Sequence, residues 1–370
     1  MNYKETLFFV AKCLTISLDE KNKKEIENQL KTSEIDWEAF VKVSTAHFVL
    51  PALYCNLKRA SFLDYLPKKL VNFMIDITNL NRERNQQIIE QAKEINDLLL
   101  ANNITPIFLK GTGNLLEGLY EDIAERMVGD IDFIFSKDDY PKAIEKLTSF
   151  GYSRVHKASY DPISFKHYPR LKKENNIAAI EIHKEILIEK YANEFNYTIV
   201  NEDSQIINTT NVISFDNQLA LSIIATQIND HGFYFKDIAL RNAYDVFLLS
   251  KKTVAKTAFN KFINLKNPLN CFLATCYQVF NKPESLQYTN TIEIEAYIKS
   301  YNKLLADNKL RIKNYKKIKI ALFIKSRCTI IYKSIFDKTH RNWLLKRTTD
   351  KNWQQEKLIQ FGLKKSKSNS

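Results

Sequence analysis

Residues 105–135 contain the two segments that decide the fold: Thr105-Pro-Ile-Phe-Leu-Lys110-Gly111-Thr112-Gly113 and Arg126-Met-Val-Gly129-Asp130-Ile-Asp132-Phe-Ile-Phe135. In the first segment, an apolar run stops at a glycine-containing turn, which is typical of a buried strand that leads into a helix. Four of the seven glycines of the chain lie in this stretch. Because glycine lets a backbone approach a ligand closely, the turn predicts a binding site.

The second segment alternates polar and apolar residues. Asp130 and Asp132 fall on one face of a predicted strand, and Ile131, Phe133 and Phe135 fall on the other. A strand this apolar is not a surface edge, and two carboxylates on one face repel each other unless a cation neutralises them. The pair therefore predicts a cation-binding site.

A third acid lies on a later strand-like run, from Ile177 to Ile188. Within this run Ile180 and Ile182 face the core, whereas Glu181 and His183 share the opposite face. Since neighbouring strands lie about 4.8 Å apart, this alternation can set Glu181 beside the two aspartates. For His183, a satisfied structural histidine is favoured over one that lines the site.

These residues resemble the bacterial uncharacterised nucleotidyltransferase family of the DNA-polymerase-β-like nucleotidyltransferase superfamily. The family pattern is Lys-Gly, Leu-Tyr, Arg and Asp-Ile-Asp, and this chain has Lys110-Gly111, Leu119-Tyr120, Arg126 and Asp130-Ile131-Asp132 in that order. The stretch Ile180-Glu181-Ile182-His183 is similar to the family's third-acid strand. The similarity covers about residues 40–250 and departs from the wider superfamily at Gly111-Thr112, where Gly-Gly or Gly-Ser is common.

The resemblance implies an α+β fold, in which a small mixed β-sheet nucleotidyltransferase core is flanked by N- and C-terminal helical regions. It also implies transfer of a nucleoside monophosphate from an NTP such as ATP, with pyrophosphate release. Asp130, Asp132 and Glu181 would be both catalytic residues and ligands of two Mg²⁺ ions, with Mn²⁺ as the alternative metal.

The same resemblance supplies candidate nucleotide-binding residues. Gly111 and Thr112 would offer backbone N–H groups and a hydroxyl to the phosphates at the start of the following helix. Lys110 and Arg126 would neutralise phosphate charge, or each could instead be a structural partner of the acids.

The length of 370 residues and the 45% hydrophobic composition indicate a globular protein with several structural units. Apolar spacing divides the chain into a helical N-terminal region (1–100), the nucleotidyltransferase core (101–205), a helical region (206–300) and a basic amphipathic helical segment (301–370). The last residues, from Lys364, are expected to be disordered.

The helical regions contain further polar residues of interest. His47 is interpreted as a capped or packed helix residue rather than a catalytic one. His231, Arg241 and Asp245 resemble the His…Arg…Asp pattern of the family's helical portion. Since Arg241 and Asp245 are four residues apart, an ion pair on one helix is favoured, and a contact from Arg241 to the triphosphate or the acceptor is the functional alternative.

The net charge of +13 is placed unevenly. Residues 301–370 contain 19 Lys/Arg and 4 Asp/Glu, whereas residues 1–300 carry a net charge of −2. Such a basic segment can bind RNA or an acidic membrane surface. Alternatively it is a helix packed on the core with a lysine face in solvent.

Other sequence features bear on the cellular compartment and on the type of metal site. The first residues do not form a secretory signal and no window resembles a membrane span, so a soluble cytoplasmic protein is expected. The five scattered cysteines contain no Cys-x-x-Cys, which predicts reduced thiols. A zinc hydrolase built from His183, His231 and the acids is disfavoured, because no His-x-x-x-His or comparable ligand spacing occurs.

Three functions are consistent with these patterns. The favoured function is a metal-dependent nucleotidyltransferase with an unidentified acceptor. The alternatives are a non-catalytic nucleotide-binding regulatory module that has kept the fold, and a toxin-like nucleotidyltransferase directed at tRNA or other RNA. The presence of all three acids argues against the regulatory module.

Overall fold

The computed structural model describes residues 1–155, 166–351 and 354–355. Within them, a seven-stranded mixed sheet is flanked by helices on the N- and C-terminal sides, which confirms the predicted α+β fold. The strands are β1 (Ile107–Leu109), β2 (Asp130–Ile134), β3 (Ser153–Arg154), β4 (Leu171–Lys172), β5 (Ala179–His183), β6 (Gln205–Ile207) and β7 (Thr210–Val212).

Helices make up most of the remaining described chain. The α-helices are α1 (Tyr3–Cys13), α2 (Glu20–Thr32), α3 (Trp37–Ala46), α4 (Leu50–Arg59), α5 (Lys68–Leu100), α6 (Lys110–Glu117), α7 (Asp139–Ser149), α8 (Tyr197–Glu202), α9 (Phe215–Ile224), α10 (Gly232–Phe235), α11 (Leu240–Leu249), α12 (Ala255–Ala258), α13 (Lys266–Val279), α14 (Ile292–Ala306), α15 (Asn308–Phe336) and α16 (Lys338–Thr349). Short 3₁₀ turns join several of them, and a π-helical turn over Ala225–Asn229 continues α9.

The strand order is β3-β4-β5-β2-β1-β7-β6, so the two acid-bearing strands are neighbours in the middle of the sheet. β2 pairs parallel with β5, and this register sets Asp132 opposite Glu181. β1 runs antiparallel to β2 on its other side, with Leu109 opposite Asp132. The residue that follows β1, Lys110, is thereby brought to the acids.

Apolar residues fix the position of these strands. All three residues of β1 have no exposed surface, and Ile131 and Phe133 of β2 are equally buried. The rings of Phe108 and Phe133 meet edge to face with centroids 5.8 Å apart. Burial of such side chains contributes about 1.5–3 kcal/mol each, so the acids project from a rigid support.

The long helix α5 holds the loop between α6 and β2. Asn81 Nδ2 donates to the carbonyl oxygen of Ala124 at 2.7 Å, and Asn85 Nδ2 donates to that of Arg126 at 2.7 Å. Both asparagines are buried. The 3₁₀ turn over Ile123–Glu125 and the start of β2 are therefore fixed to α5 by side-chain amides.

The sequence predicted some elements and missed others. The helix after the Asp-x-Asp strand is confirmed as α7, and the strand-like runs at 152–155 and 177–188 are confirmed as β3 and β5. The run at 163–168 lies partly outside the described residues, and the tail predicted from residue 364 lies entirely outside them. The helical prediction for 206–300 misses β7, because a strand of three residues is too short to show a period.

The C-terminal segment is helical, and one side of α15 is partly covered. Ser334 is the one fully buried residue of α15, and a half-buried row that includes Leu310, Ile318 and Leu322 lies on the same side. On the exposed sides apolar residues are mixed with lysines: Ile320, Phe323 and Ile324 are 51–59% exposed. Among the described residues, no helix is both long and apolar enough to cross a lipid bilayer.

The close packing of the turn after β1 predicts that the stability of the protein depends strongly on Gly113. A Cβ atom at Gly113 would lie 3.0 Å from the carbonyl oxygen of Phe108, a backbone atom that cannot move without moving β1. We expect Gly113→Ala to lower the free energy of unfolding by about 1–2 kcal/mol in urea titrations, because overpacking outweighs the better helix propensity of alanine. Gly129→Ala, where nothing lies within 4 Å of the added carbon, is the control and should show no loss. Equal stabilities for the two variants would contradict this account.

Candidate functional site

The centre of the site is a buried group of ligand-type atoms on β2 and β5. Asp132, Glu181 and His183 each bring one ligand atom within 4.8 Å of the others, a grouping that can hold a metal ion. The predicted juxtaposition of Glu181 with the Asp-x-Asp strand is confirmed by the register of the two strands. His183 lies in this group as a buried side chain, with Nε2 2.9 Å from Asp132 Oδ1 and Nδ1 3.3 Å from the carbonyl oxygen of Glu185.

Lys110 inserts its ammonium group into this cluster. Its Nζ lies 2.6 Å from Asp132 Oδ1, 3.8 Å from Glu181 Oε2 and 3.3 Å from His183 Nε2. The backbone at Lys110 has a φ of +54°, in the left-handed region, and this turn carries the side chain from the end of β1 toward β2 and β5. Burial disfavours the charged amine, but Asp132 outweighs burial and raises the pKa of Lys110.

Arg170 joins the other two carboxylates. Its Nη2 lies 2.8 Å from Asp130 Oδ2 and 2.9 Å from Glu181 Oε1, and its Nε donates to Glu181 Oε1 at 3.3 Å. Arg170 directly precedes β4, whose Leu171 pairs with Ile180 next to Glu181. The three acids are thus linked by two cationic side chains rather than lying free.

Asp132 is the most strongly held of the acids. Burial would raise its pKa, but Lys110 and the N–H of His183 outweigh burial and hold the pKa well below its usual value. Burial, with Lys110 nearby, lowers the pKa of His183, so its ring is neutral near pH 7. Because the carboxylate accepts only, we place the ring proton on Nε2, which donates to Asp132 Oδ1 at 2.9 Å.

The two residues of the predicted phosphate turn lie in different surroundings. Gly111 lines the cavity beside the acids, and a Cβ atom there would lie 3.0 Å from Val128. Thr112 is fully buried, and its hydroxyl donates to the carbonyl oxygen of Asp130 at 3.0 Å. The Thr112 hydroxyl therefore fixes the start of β2 instead of facing a ligand.

Arg126 forms a buried ion pair with a helix of the C-terminal half. Its Nε lies 2.9 Å from Asp245 Oδ2, and the hydroxyl of Tyr120 donates to Asp245 Oδ1 at 2.7 Å. Burial opposes the charge of Arg126, but Asp245 outweighs burial and raises its pKa. The ion pair expected between Arg241 and Asp245 is replaced by this one, because Asp245 turns to the loop before β2 rather than along α11.

A cavity of about 330 Å³ extends from the acids toward α9 and α11. Arg241 and Lys166 line it, and neither forms an ion pair with a carboxylate of the described residues. Burial, followed by Arg126, lowers the pKa of Arg241 to about 10. Burial, followed by Lys110, lowers the pKa of Lys166. Asp230 lines the same cavity and partly compensates both cations, so this side of the cavity carries two basic side chains and one acid.

The other histidines flagged in the sequence lie elsewhere. His47 ends α3, and its Nδ1 accepts the backbone N–H of Leu240 at 3.3 Å, which confirms a packed helix residue. In the described part of the chain, His231 is not a member of the ligand cluster. All five cysteines are free, as predicted for reduced thiols.

Sequence reasoning missed Arg170, Lys166 and Asp230, all of which line the cavity. Arg170 directly precedes β4, which has only two residues, so alternation could not reveal that Arg170 faces Glu181. Lys166 and Asp230 lie outside regular strands and helices, where sequence spacing gives no direction for a side chain.

Comparisons with known proteins identify one family. A family model described as "Uncharacterised nucleotidyltransferase" matches residues 33–281. Neither the curated proteins nor the solved structures gave a significant match to the chain.

The Arg126–Asp245 pair should be essential for stability. Arg126→Met leaves a carboxylate that is 1% exposed without its cation, so we expect the free energy of unfolding to fall by about 3–5 kcal/mol. Arg241→Met is the matched control in the same cavity, and because Arg241 forms no ion pair with a carboxylate of the described residues we expect a change under about 1 kcal/mol. Urea denaturation of both variants measures this, and equal losses would show that the buried pair has no special role.

Proposed function

The chain belongs to the uncharacterised nucleotidyltransferase family, and we propose that it transfers a nucleoside monophosphate from an NTP to an acceptor in a metal-dependent reaction. The observation that carries the proposal is the placing of Asp130, Asp132 and Glu181 together at the wall of a cavity that also has basic side chains. A mixed sheet with an Asp-x-Asp strand beside a strand bearing a third acid also supports membership of the DNA-polymerase-β-like superfamily.

The donor set fits a hard divalent cation. Carboxylate oxygens are the ligands that Mg²⁺ and Mn²⁺ prefer, and Asp130, Asp132 and Glu181 would supply them. Such an ion neutralises the phosphate oxygens and favours the charge that develops during transfer.

In the proposed reaction, an acceptor oxygen attacks the α-phosphorus of the NTP and a new P–O bond forms. The bond from the α-phosphorus to the bridging oxygen breaks, and pyrophosphate leaves with that electron pair. Glu181, at the cavity wall, takes the proton of the acceptor hydroxyl as general base. The products are the nucleotidylated acceptor and pyrophosphate.

The triphosphate is proposed to bind on the basic side of the cavity. Arg241 and Lys166 line that side, and burial is the main reason that the pKa of each is lowered. A bound triphosphate would place negative charge beside both side chains. The position of Arg241 at the cavity favours the second of its two sequence interpretations, a contact to the triphosphate or the acceptor. Gly111 would bring its backbone close to the nucleotide, whereas Arg126 supports the site through Asp245.

The test of this function uses α-labelled ATP, GTP, CTP and UTP with Mg²⁺ or Mn²⁺ and a cell lysate as the source of acceptors. We expect the wild type to transfer label, and Glu181→Gln to lower the rate at least 100-fold because it removes the base. Glu185→Gln, a nearby acid that lies beyond the end of β5 and does not line the cavity, is the control and should keep the wild-type rate. Binding of NTP without transfer in any lysate would instead support the non-catalytic regulatory module.

A second proposal concerns the acceptor, which we infer to be RNA on the basis of α15 and α16. One side of α15 is half-buried, and the exposed remainder carries Lys309, Lys313, Lys316, Lys317, Lys319 and Lys325. Exposed aromatic side chains, including Phe323 and Tyr332, lie on the same helix and can stack on bases. A membrane-surface helix needs apolar and basic residues on opposite faces, which α15 lacks.

RNA binding by α15 should depend strongly on salt. For the full chain with a labelled single-stranded RNA, we expect Lys316→Gln/Lys317→Gln to weaken binding and to reduce the slope of log K against log salt by about 0.7 for each phosphate that is no longer neutralised. Lys68→Gln/Lys69→Gln removes two exposed lysines at the start of α5 and should leave the slope unchanged. Salt-independent binding, or retention by anionic vesicles but not by RNA, would exclude RNA as the partner of this surface.

A further inference from the structure

Two spaces lie between the three carboxylates, and a cationic side chain occupies each of them. The inner space is bounded by Asp132, Glu181 and His183, and Lys110 Nζ lies within 3.8 Å of a polar atom of all three. The outer space lies between Asp130 and Glu181, and Arg170 Nη2 lies within 2.9 Å of both.

The inner cation is held far more firmly than the outer one. Asp132 Oδ1 accepts from both Lys110 at 2.6 Å and His183 at 2.9 Å, and the Asp132 side chain is only 10% exposed. Removing the ammonium would leave that carboxylate buried with one neutral donor, which is strongly unfavourable. The lysine stem is also fixed where β1 turns into α6, at a backbone φ of +54°.

The outer cation, Arg170, can be displaced from the carboxylates by another cation. The Arg170 side chain is 45% exposed, and Asp130 is 25% exposed, so water can replace each contact when they separate. Exposed or half-exposed ion pairs contribute little to stability. A divalent ion can therefore displace Arg170 from Asp130 and Glu181, with or without a nucleotide.

We propose that Lys110 is the permanent second cation of the centre, and that the protein binds one divalent ion, between Asp130 and Glu181, in exchange for Arg170. This inference rests on the proposed function and replaces the expected two ions by one ion and one ammonium. Lys110 binds Asp132 and Glu181 in the place of a metal, and Asp132 and His183 position Lys110. The bonds made and broken in the transfer are unchanged.

Charge balance supports one ion rather than two. Without nucleotide, the three carboxylates carry three negative charges, which one divalent ion and the Lys110 ammonium neutralise together. Asp230, a further acid of the cavity wall, interacts most strongly with Lys166. In this nucleotide-free state a second divalent ion would leave excess positive charge in a cluster where the side chains of Asp132 and His183 are at most 10% exposed. Uncompensated charge in such surroundings is strongly unfavourable.

The experiment counts Mn²⁺ on the full chain by equilibrium dialysis and by electron paramagnetic resonance, without nucleotide. We expect one Mn²⁺ per wild-type chain with an uncoupled spectrum. Lys110→Ala should bind two, and the spectrum should show exchange coupling, because two ions in adjacent spaces lie about 3.5–4 Å apart. Lys166→Ala removes a cavity lysine that forms no ion pair with a carboxylate of the described residues, and it should still bind one.

Two further variants keep the result interpretable. Lys110→Gln, which retains the length of the stem, replaces Lys110→Ala if the alanine variant does not fold, and the same gain of a second Mn²⁺ is expected. Arg170→Gln should tighten the single wild-type site about tenfold, because it removes the competing cation. Two coupled Mn²⁺ in the wild type, no Mn²⁺ in the wild type, or a single Mn²⁺ in both Lys110 variants would each overturn the proposal.

These outcomes are separate from the test of nucleotidyl transfer. A wild type that transfers label and binds two Mn²⁺ would keep the proposed function and reject the role of Lys110. A wild type that binds one Mn²⁺ and gains a second on loss of Lys110, yet transfers no label, would keep the role of Lys110 and reject the function.

Discussion

The rest of the site depends on the mutual repulsion of three carboxylates that the sheet forces together. The parallel register of β2 and β5 sets Asp132 opposite Glu181, and Asp130 precedes Asp132 on the same face. Side chains buried beneath these strands prevent the acids from moving apart, so cations must compensate them. Lys110 and Arg170 do this from the two neighbouring elements, the end of β1 and the start of β4.

A second buried interaction connects the central sheet to the helices that follow it. Arg126 lies in the loop before β2 and pairs with Asp245 of α11, and α5 holds the same loop through asparagine side chains. Because Asp245 pairs with Arg126, it does not form the ion pair with Arg241 that the sequence spacing predicted. Arg241 is therefore left at the cavity wall, where its guanidinium donates to the carbonyl oxygen of Met127 at 3.3 Å. A structural ion pair thus leaves a second arginine at the cavity.

The sequence was sufficient for the centre of the fold and insufficient for its surroundings. Strict alternation around Asp130, Asp132 and Glu181 predicted both strands and the juxtaposition of the acids, since a period of two fixes which side chains share a face. Alternation could not predict the position of Arg170, because the strand that follows it, β4, is only two residues long. It could not predict β7 either, because that strand has only three residues. Likewise, the spacing of Arg241 and Asp245 predicted a helical ion pair, but the partner of Asp245 comes from residue 126, a contact that local spacing cannot show.

The most direct measurement of the central claim, that these carboxylates form a cation centre, is anomalous diffraction from crystals of the full chain grown with Mn²⁺ and pyrophosphate. The account predicts one Mn²⁺ peak between Asp130 and Glu181, Arg170 moved away from both, and Lys110 still bound to Asp132. The absence of a peak at the carboxylates would contradict a metal-dependent site. Two peaks, with Lys110 displaced from Asp132, would contradict the resident ammonium while keeping the metal centre.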